Sequence, residues 1–197
     1  PLRRAASDVY KRQNCGNISI NNTTINAGSN ANQFAFDVCG YAKYTAGVTV
    51  TVSGTSVING KVEISKSAGN TELMKLNITS GTFNGDLKVD ASVGTENAQS
   101  IISVSGGTFS DPSVLKYMAT NATVDIKLLS NINIAKTELA TGYILNAANA
   151  TANLNLNGHD IINSSETADA TPFTQIFTVQ NGTCLLYTSP SPRDISG

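Results

Sequence analysis

Asp86 and Asp111 are one repeat step apart, and Lys88 follows the first of them by two. Two carboxylates brought to one face can hold Ca²⁺ together with carbonyl oxygens, or work as acid and base at a glycosidic bond. A lyase would also need a base beside a substrate carboxylate. No arginine occurs between residues 14 and 183, so Lys88 is the cation placed for that task. Asp86, Asp111 and Lys88 are therefore the carbohydrate or calcium candidates. The same spacing carries a plainer reading. An offset of 25 sets Lys61 against Asp86 and Glu63 against Lys88, and such surface ion pairs are worth about 0–1 kcal/mol each. Asp111 falls one residue off that register, because "TFSD" is shorter than "TFNGD". His159, the sole histidine, sits in the turn phrase "NGHD" with no cysteine or second histidine near it in sequence, which marks a corner residue. No catalytic residue, metal site or cofactor is assigned.

These side chains can meet only if the chain returns to the same place at a fixed period. "SGTSVINGKVEIS" (Ser53–Ser65) and "SGTFNGDLKVDAS" (Ser80–Ser92) are one phrase written twice, and "SGGTFSD" opens a third copy at Ser105. Gly54, Gly81, Gly106 and Gly158 mark the repeat, with Gly106 one period after Gly81 and Gly158 two periods further. Within each unit β-branched residues alternate with Thr, Ser, Asn or Lys, as in Val48/Val50/Val52 and Val124/Ile126/Leu128. That is the period of a strand with one buried face. Helical periodicity is confined to about one turn near Pro112–Thr120. Short strands, Asn-Gly and Ser-Gly corners and a period of about 24–27 residues predict an all-β fold, a parallel β-helix of roughly six to seven coils. An antiparallel β-sandwich also has many short strands, but it gives no reason for "SGT…NG" to recur at near-constant spacing. Phe83 and Phe109 occupy equivalent places and are expected to stack in the core, one ring per coil. Asn at corners tolerates left-handed backbone, and amides stacked from coil to coil bond to one another. The eight Asn-x-Ser/Thr triplets (Asn17, Asn21, Asn22, Asn77, Asn121, Asn149, Asn163, Asn181) arise from this composition and say nothing of modification. Cys15 and Cys39, close to one period apart, fit either a disulfide at one corner or two small buried residues.

The two ends have another texture. All four arginines (Arg3, Arg4, Arg12, Arg193) lie outside residues 14–183. "DVYKRQ" at Asp8–Gln13 and "CLLYTS" at Cys184–Ser189 can be encoded by a single inverted DNA repeat, which resembles the transposase end of sequencing-library adapters. Residues 1–13 and 184–197 are accordingly expected to be non-native and poorly ordered, with 14–183 a β-helix segment of a longer protein. That segment holds eight lysines and twelve carboxylates. An acidic balance argues against nucleic acid or an anionic membrane surface as partner. No apolar run is long enough to span a bilayer.

"SGTF", "SGGTFSD" and "LNLNGHDI" resemble the coils of bacterial surface proteins with a pectate-lyase-like right-handed β-helix. The likeness covers most of Val48–Asp160 and rests on repeated phrases of low specificity. It implies a right-handed, single-stranded parallel β-helix, and a secreted or cell-surface location. The function expected is a structural or adhesive segment without catalysis, with host glycans or other surface proteins as partners. The family also includes polysaccharide lyases, hydrolases and phage tailspikes, so a carbohydrate-active or tail-fibre segment is the alternative.

Overall fold

A computed structural model describes residues 13–14, 17–27, 34–40, 47–67, 69, 73–93, 101–134, 142–163 and 176–188. The described chain is largely strand, with two short 3₁₀ segments at Ala91–Val93 and Pro112–Tyr117. One sheet takes β1 (Gln13–Asn14), β4 (Phe34–Gly40), β7 (Lys61–Lys66) and β10 (Leu87–Val89) in that order. The largest follows the order β2 (Ile18–Asn21), β5 (Val48–Ser53), β8 (Met74–Ile78), β11 (Ile102–Phe109), β12 (Met118–Lys127), β14 (Tyr143–Asn155) and β16 (Phe177–Tyr187). Beside it β3 (Thr24–Asn26), β6 (Val57–Asn59) and β9 (Thr82–Asn84) pair in succession and join it at β11, while β13 (Ile132–Ile134) and β15 (Ile161–Asn163) pair alone.

Every ladder between these strands is parallel. The fold is thus all-β with parallel sheets, and the antiparallel sandwich is set aside. The sequence explains the direction. A strand and its partner are successive copies of one phrase, and the chain visits another sheet before returning, as from β5 and β6 through β7 to β8. Alternation decides which face is buried. Val48, Val50 and Val52 are inside while Thr49 and Thr51 between them are half-exposed. Each such valine contributes about 1.5–3 kcal/mol by leaving water.

The core is a set of columns. Register places Ile25, Ile58, Phe83, Phe109, Ile126, Leu154 and Leu186 one behind another across successive strands. Phe83 and Phe109 stack as expected, with centroids 5.1 Å apart and planes 14° from parallel.

Two details depart from a uniform repeat. The doubled phrase aligns by its Asn-Gly pairs, with Asn59 opposite Asn84. Its Ser-Gly-Thr portions do not align, since Thr82 N–H donates to the Ser56 carbonyl at 2.8 Å. Gly54 therefore does not face Gly81, and the partner of Gly81 is Gly107 in place of the expected Gly106. Gly81 and Gly107 have φ of +116° and +124°, and a Cβ on either would sit 3.0 Å from the carbonyl oxygen of the strand behind. Gly106 is constrained by a different neighbour, the Thr79 carbonyl, 2.8 Å from where its Cβ would lie. Gly158 (φ +78°) occupies an open corner.

The second departure is the step from Phe109 to Ile126, much shorter than the nearly equal steps from Ile58 to Phe83 and from Phe83 to Phe109. The single turn anticipated near Pro112 is a 3₁₀ helix that shortens the path. Asp111 caps it by accepting from Ser113 N–H at 2.7 Å, and Val114, Leu115 and Tyr117 are buried beneath. Ser113 Oγ in turn accepts from Leu87 N–H at 3.0 Å, so the helix covers the edge that β10 would otherwise present. The next step, from Ile126 to Leu154, is longer than the period, and the two steps carry Gly106 through Thr123 to Thr151, so Gly158 does not hold the equivalent place that the repeat count gave it.

Residues 184–187 depart from the low order expected of the flank. Cys184, Leu185, Leu186 and Tyr187 extend β16 opposite Ala152–Asn155, and Leu156 N–H donates to the Tyr187 carbonyl at 3.0 Å. An unpaired parallel edge is a template for any extended chain that follows it. Their side chains gain little, since Leu186 remains 59% exposed.

Candidate functional site

The offset of β7 and β10 brings the predicted charges together. Leu87 lies opposite Val62, which sets Asp86 behind Lys61, and their charged atoms are 3.5 Å apart. Lys88 pairs with Glu63 in register, its ammonium 3.9 Å from the carboxylate. Glu63 is buried although it points away from Val62 and Ile64. Behind it in register is Asp37, fully buried, whose two oxygens accept from Ser65 Oγ at 2.9 and 2.7 Å. Sequence reading passed over Asp37; its one signal is a charge inside the apolar run "FAFDVC".

Asp111 does not present a second free carboxylate beside Asp86, because it is turned into the cap of the 3₁₀ helix. Burial pushes its pKa above the usual 3.8, and the Asp86 charge adds to that rise, while the Ser113 hydrogen bonds and Lys61 oppose it. Lys116, on the same helix, holds its ammonium 4.8 Å from the centre of the Tyr117 ring. Desolvation there lowers its pKa from the usual 10.5, against the pull of Asp86 and Asp111. Burial raises the Tyr117 phenol, whose hydroxyl has no partner at hydrogen-bond geometry. All three sequence candidates thus serve local structure: Asp86 and Lys88 in ion pairs, Asp111 in a cap.

The amide ladders are present. Asn84 Nδ2 donates to Asn59 Oδ1 and Asn59 Nδ2 donates to Asn26 Oδ1, both at 2.7 Å. Asn121 and Asn149, at φ of 61° and 55°, repeat the arrangement at 3.2 Å. His159 N–H donates to the Leu156 carbonyl at 2.9 Å and closes the Asn157–Gly158 turn, a corner role. Cys39 is buried on β4. Cys15 lies outside the described residues, and with it the disulfide reading.

A concave surface lies elsewhere, on the outer side of the largest sheet. It is an open hollow of about 400 Å³ lined by Thr108, Asp125, Ile126, Lys127, Asn153, Asn155 and Tyr187. Two outward rows build it: Thr108, Asp125 and Asn153 in one, Lys127, Asn155 and Tyr187 in the other. Asn153 Nδ2 donates to Asp125 Oδ1 at 2.8 Å, and Asn155 Oδ1 accepts from Asn157 N–H at 2.8 Å. No family model, curated protein or solved structure matches the chain. The groove must therefore be read from its own atoms. Sequence analysis missed it because the partners "VDIK" and "ANLN" are separated by more than the period used to align copies. Among the described residues no helix is long and apolar enough to cross a membrane.

Proposed function

We propose that residues 14–183 form a segment of a right-handed parallel β-helix, whose role is structural or adhesive at a secreted or cell-surface location, with no catalysis in this segment. The observation that carries this reading is the column from Ile25 to Leu186, built from consecutive parallel strands in a single order. One coil cannot bury its inner face alone; stacking buries it, and the result is a rod that displays its exterior. The asparagine ladder and the Lys61–Asp86 and Lys88–Glu63 pairs fit that role, since each links one strand to the next. The resemblance of "SGGTFSD" and "LNLNGHDI" to surface-protein coils points the same way.

The test uses the repeat itself. Deleting residues 59–83 removes one whole period and joins Ile58 to Asn84, which restores "VING" across the junction. A stacked array tolerates loss of a whole period, so this variant keeps a strand-type circular dichroism spectrum and cooperative unfolding at reduced stability. Deleting residues 62–80 cuts across the period and abolishes cooperative unfolding. Equal damage from both deletions would refute the rod.

A further inference from the structure

We infer that the groove on the outer face of β11, β12, β14 and β16 is a binding site for a neutral, hydroxyl-rich saccharide. This extends the adhesive part of the reading above and rests on it for its biological sense, though not for its chemistry. The volume, about 400 Å³, lies in the range of small-ligand sites and would take one or two sugar rings.

The lining selects the class of ligand. Asp125 contributes one negative charge and Lys127 one positive, so the groove carries no net charge to favour an ion of either sign. An anionic ligand would have to face Asp125, and a cationic one Lys127. Nucleic acid needs several cations along its backbone, and one lysine does not supply them. An apolar ligand would cover Asp125 and Lys127 without giving either charge a partner. A peptide strand could add only at the outer edge of β16 and not across the groove, because β11, β12 and β14 are each paired on both sides.

What the groove offers is donors and acceptors interleaved at close spacing. Asn153 fixes Asp125 by donating to Oδ1, which leaves Oδ2 as an acceptor aimed by a fixed neighbour. Asn155 is fixed through its Oδ1 by Asn157 N–H, which leaves its Nδ2 as a donor. Lys127 is exposed and has no ion-pair partner among the described residues. Thr108 adds a hydroxyl. Each sugar hydroxyl both donates and accepts, so a polyol satisfies this set where a ligand of one polarity cannot. Tyr187, half-exposed at the edge, supplies a ring face for the C–H side of a sugar. The polar floor (Asp125, Lys127, Asn153, Asn155) lies within residues 14–183, and Tyr187 alone comes from the stretch with adapter-like coding.

Titration calorimetry of the full chain with cellohexaose, laminarihexaose and mannohexaose, and with a hexauronate as the acidic counterpart, tests the site. At least one neutral hexasaccharide should bind with a micromolar to millimolar Kd and in preference to the hexauronate. Lys127→Ala and Asn155→Ala should each weaken it by roughly tenfold, the effect of losing one hydrogen bond to a positioned polar group. Tyr187→Ala should weaken it less, and Thr51→Ala, on the same sheet away from the groove, not at all. Should Asn155→Ala fail to fold, amide chemical-shift changes confined to residues 108, 125–127 and 153–155 on titrating the unmodified chain decide the location. No binding by any neutral probe, stronger binding of the hexauronate, or shifts elsewhere on the surface would each overturn the site. A chain that passes the period-deletion test and binds no saccharide keeps the rod and loses the groove; the opposite pair of results keeps the groove alone.

Discussion

The stretch from β5 to β11 and the stretch from β12 to β16 share one sheet and one core column, yet the two are held differently. In the first, partners recur at a near-constant step, and side chains reinforce each one: the Asn84–Asn59 hydrogen bond, the Lys61–Asp86 pair, the Phe83–Phe109 stack. In the second the step lengthens from Ile126 to Leu154, and again from Leu154 to Leu186. The column stays covered through Ile126 and Leu154, each 1% exposed like Phe83 and Phe109, and loses its cover at Leu186 on the last strand, at 59%. Pairing alone does not bury a side chain; a further strand must lie against it. Regularity in the first stretch leaves little unassigned polar chemistry, whereas the looser second stretch leaves an outer groove.

The comparison breaks most sharply at the column. Phe109→Ala should cost about 3–5 kcal/mol in urea-induced unfolding, the range for deleting a buried aromatic ring. Leu186→Ala, at the same column position, should change stability by less than about 0.5 kcal/mol, as at an exposed site. Comparable losses at the two would mean that the last strand is as well packed as the middle of the column. Next in size is the backbone contact that lets consecutive strands close. Gly107→Ala adds a Cβ 3.0 Å from the Gly81 carbonyl and 3.3 Å from the Phe109 ring, at a φ of +124°. A cost of about 1–3 kcal/mol is expected there. Gly158→Ala meets no atom within 4 Å, and with φ at +78° it should cost only about 1 kcal/mol. Thermal unfolding of the two variants side by side measures the difference, which combines the close approach with the less accessible φ of Gly107.

How far these features were legible follows from what sets them. Strand positions, the Phe83–Phe109 stack and the Lys61–Asp86 and Lys88–Glu63 pairs were readable, because alternation and a constant offset determine them locally. The partner of Gly81 was misread by one residue, because "SGG" offers two glycines and only the backbone contact distinguishes them. Asp111 shows a different limit. Its spacing from Asp86 suggested a carboxylate pair, but the proline after it begins a 3₁₀ helix, and the carboxylate turns to cap that helix. The groove was invisible for a third reason: a short step followed by a long one shifts the outward rows out of the period that aligned the earlier copies.

A smaller effect separates the two stretches by pH, because their junction holds titrating groups whose pKa values are shifted by desolvation. Asp111 has a raised pKa in the fold, so between the ordinary 3.8 and that raised value the folded chain binds more protons than the unfolded one. Stability must therefore fall as pH rises through this window. Asp111→Asn keeps an acceptor for Ser113 N–H and removes the charge, so its unfolding free energy should lack that decline. Lys116 has the opposite sign. Its pKa is lowered from 10.5, the folded chain binds fewer protons below that value, and stability rises with pH in the window beneath it. Lys116→Met should remove the rise. A profile in which Asp111→Asn parallels the parent above pH 3.8 would show that the carboxylate is solvated and the cap open.

The smallest expected change is at Lys61, and it is informative for that reason. Lys61 and Asp86 are both about one-third exposed and 3.5 Å apart, so solvent and salt screen the pair. Lys61→Ala should cost about 0–1 kcal/mol, and less at high salt. A double-mutant cycle with Asp86→Ala isolates the coupling from each side chain's own effect. Like charges placed one period apart would repel at about 5 Å, so Lys61→Glu should cost more than Lys61→Ala, by a margin that shrinks with salt. If the margin does not respond to salt, the pair contributes packing and not charge. The ion pairs would then be a consequence of the register, which the apolar column and the Asn26–Asn59–Asn84 ladder already specify without them.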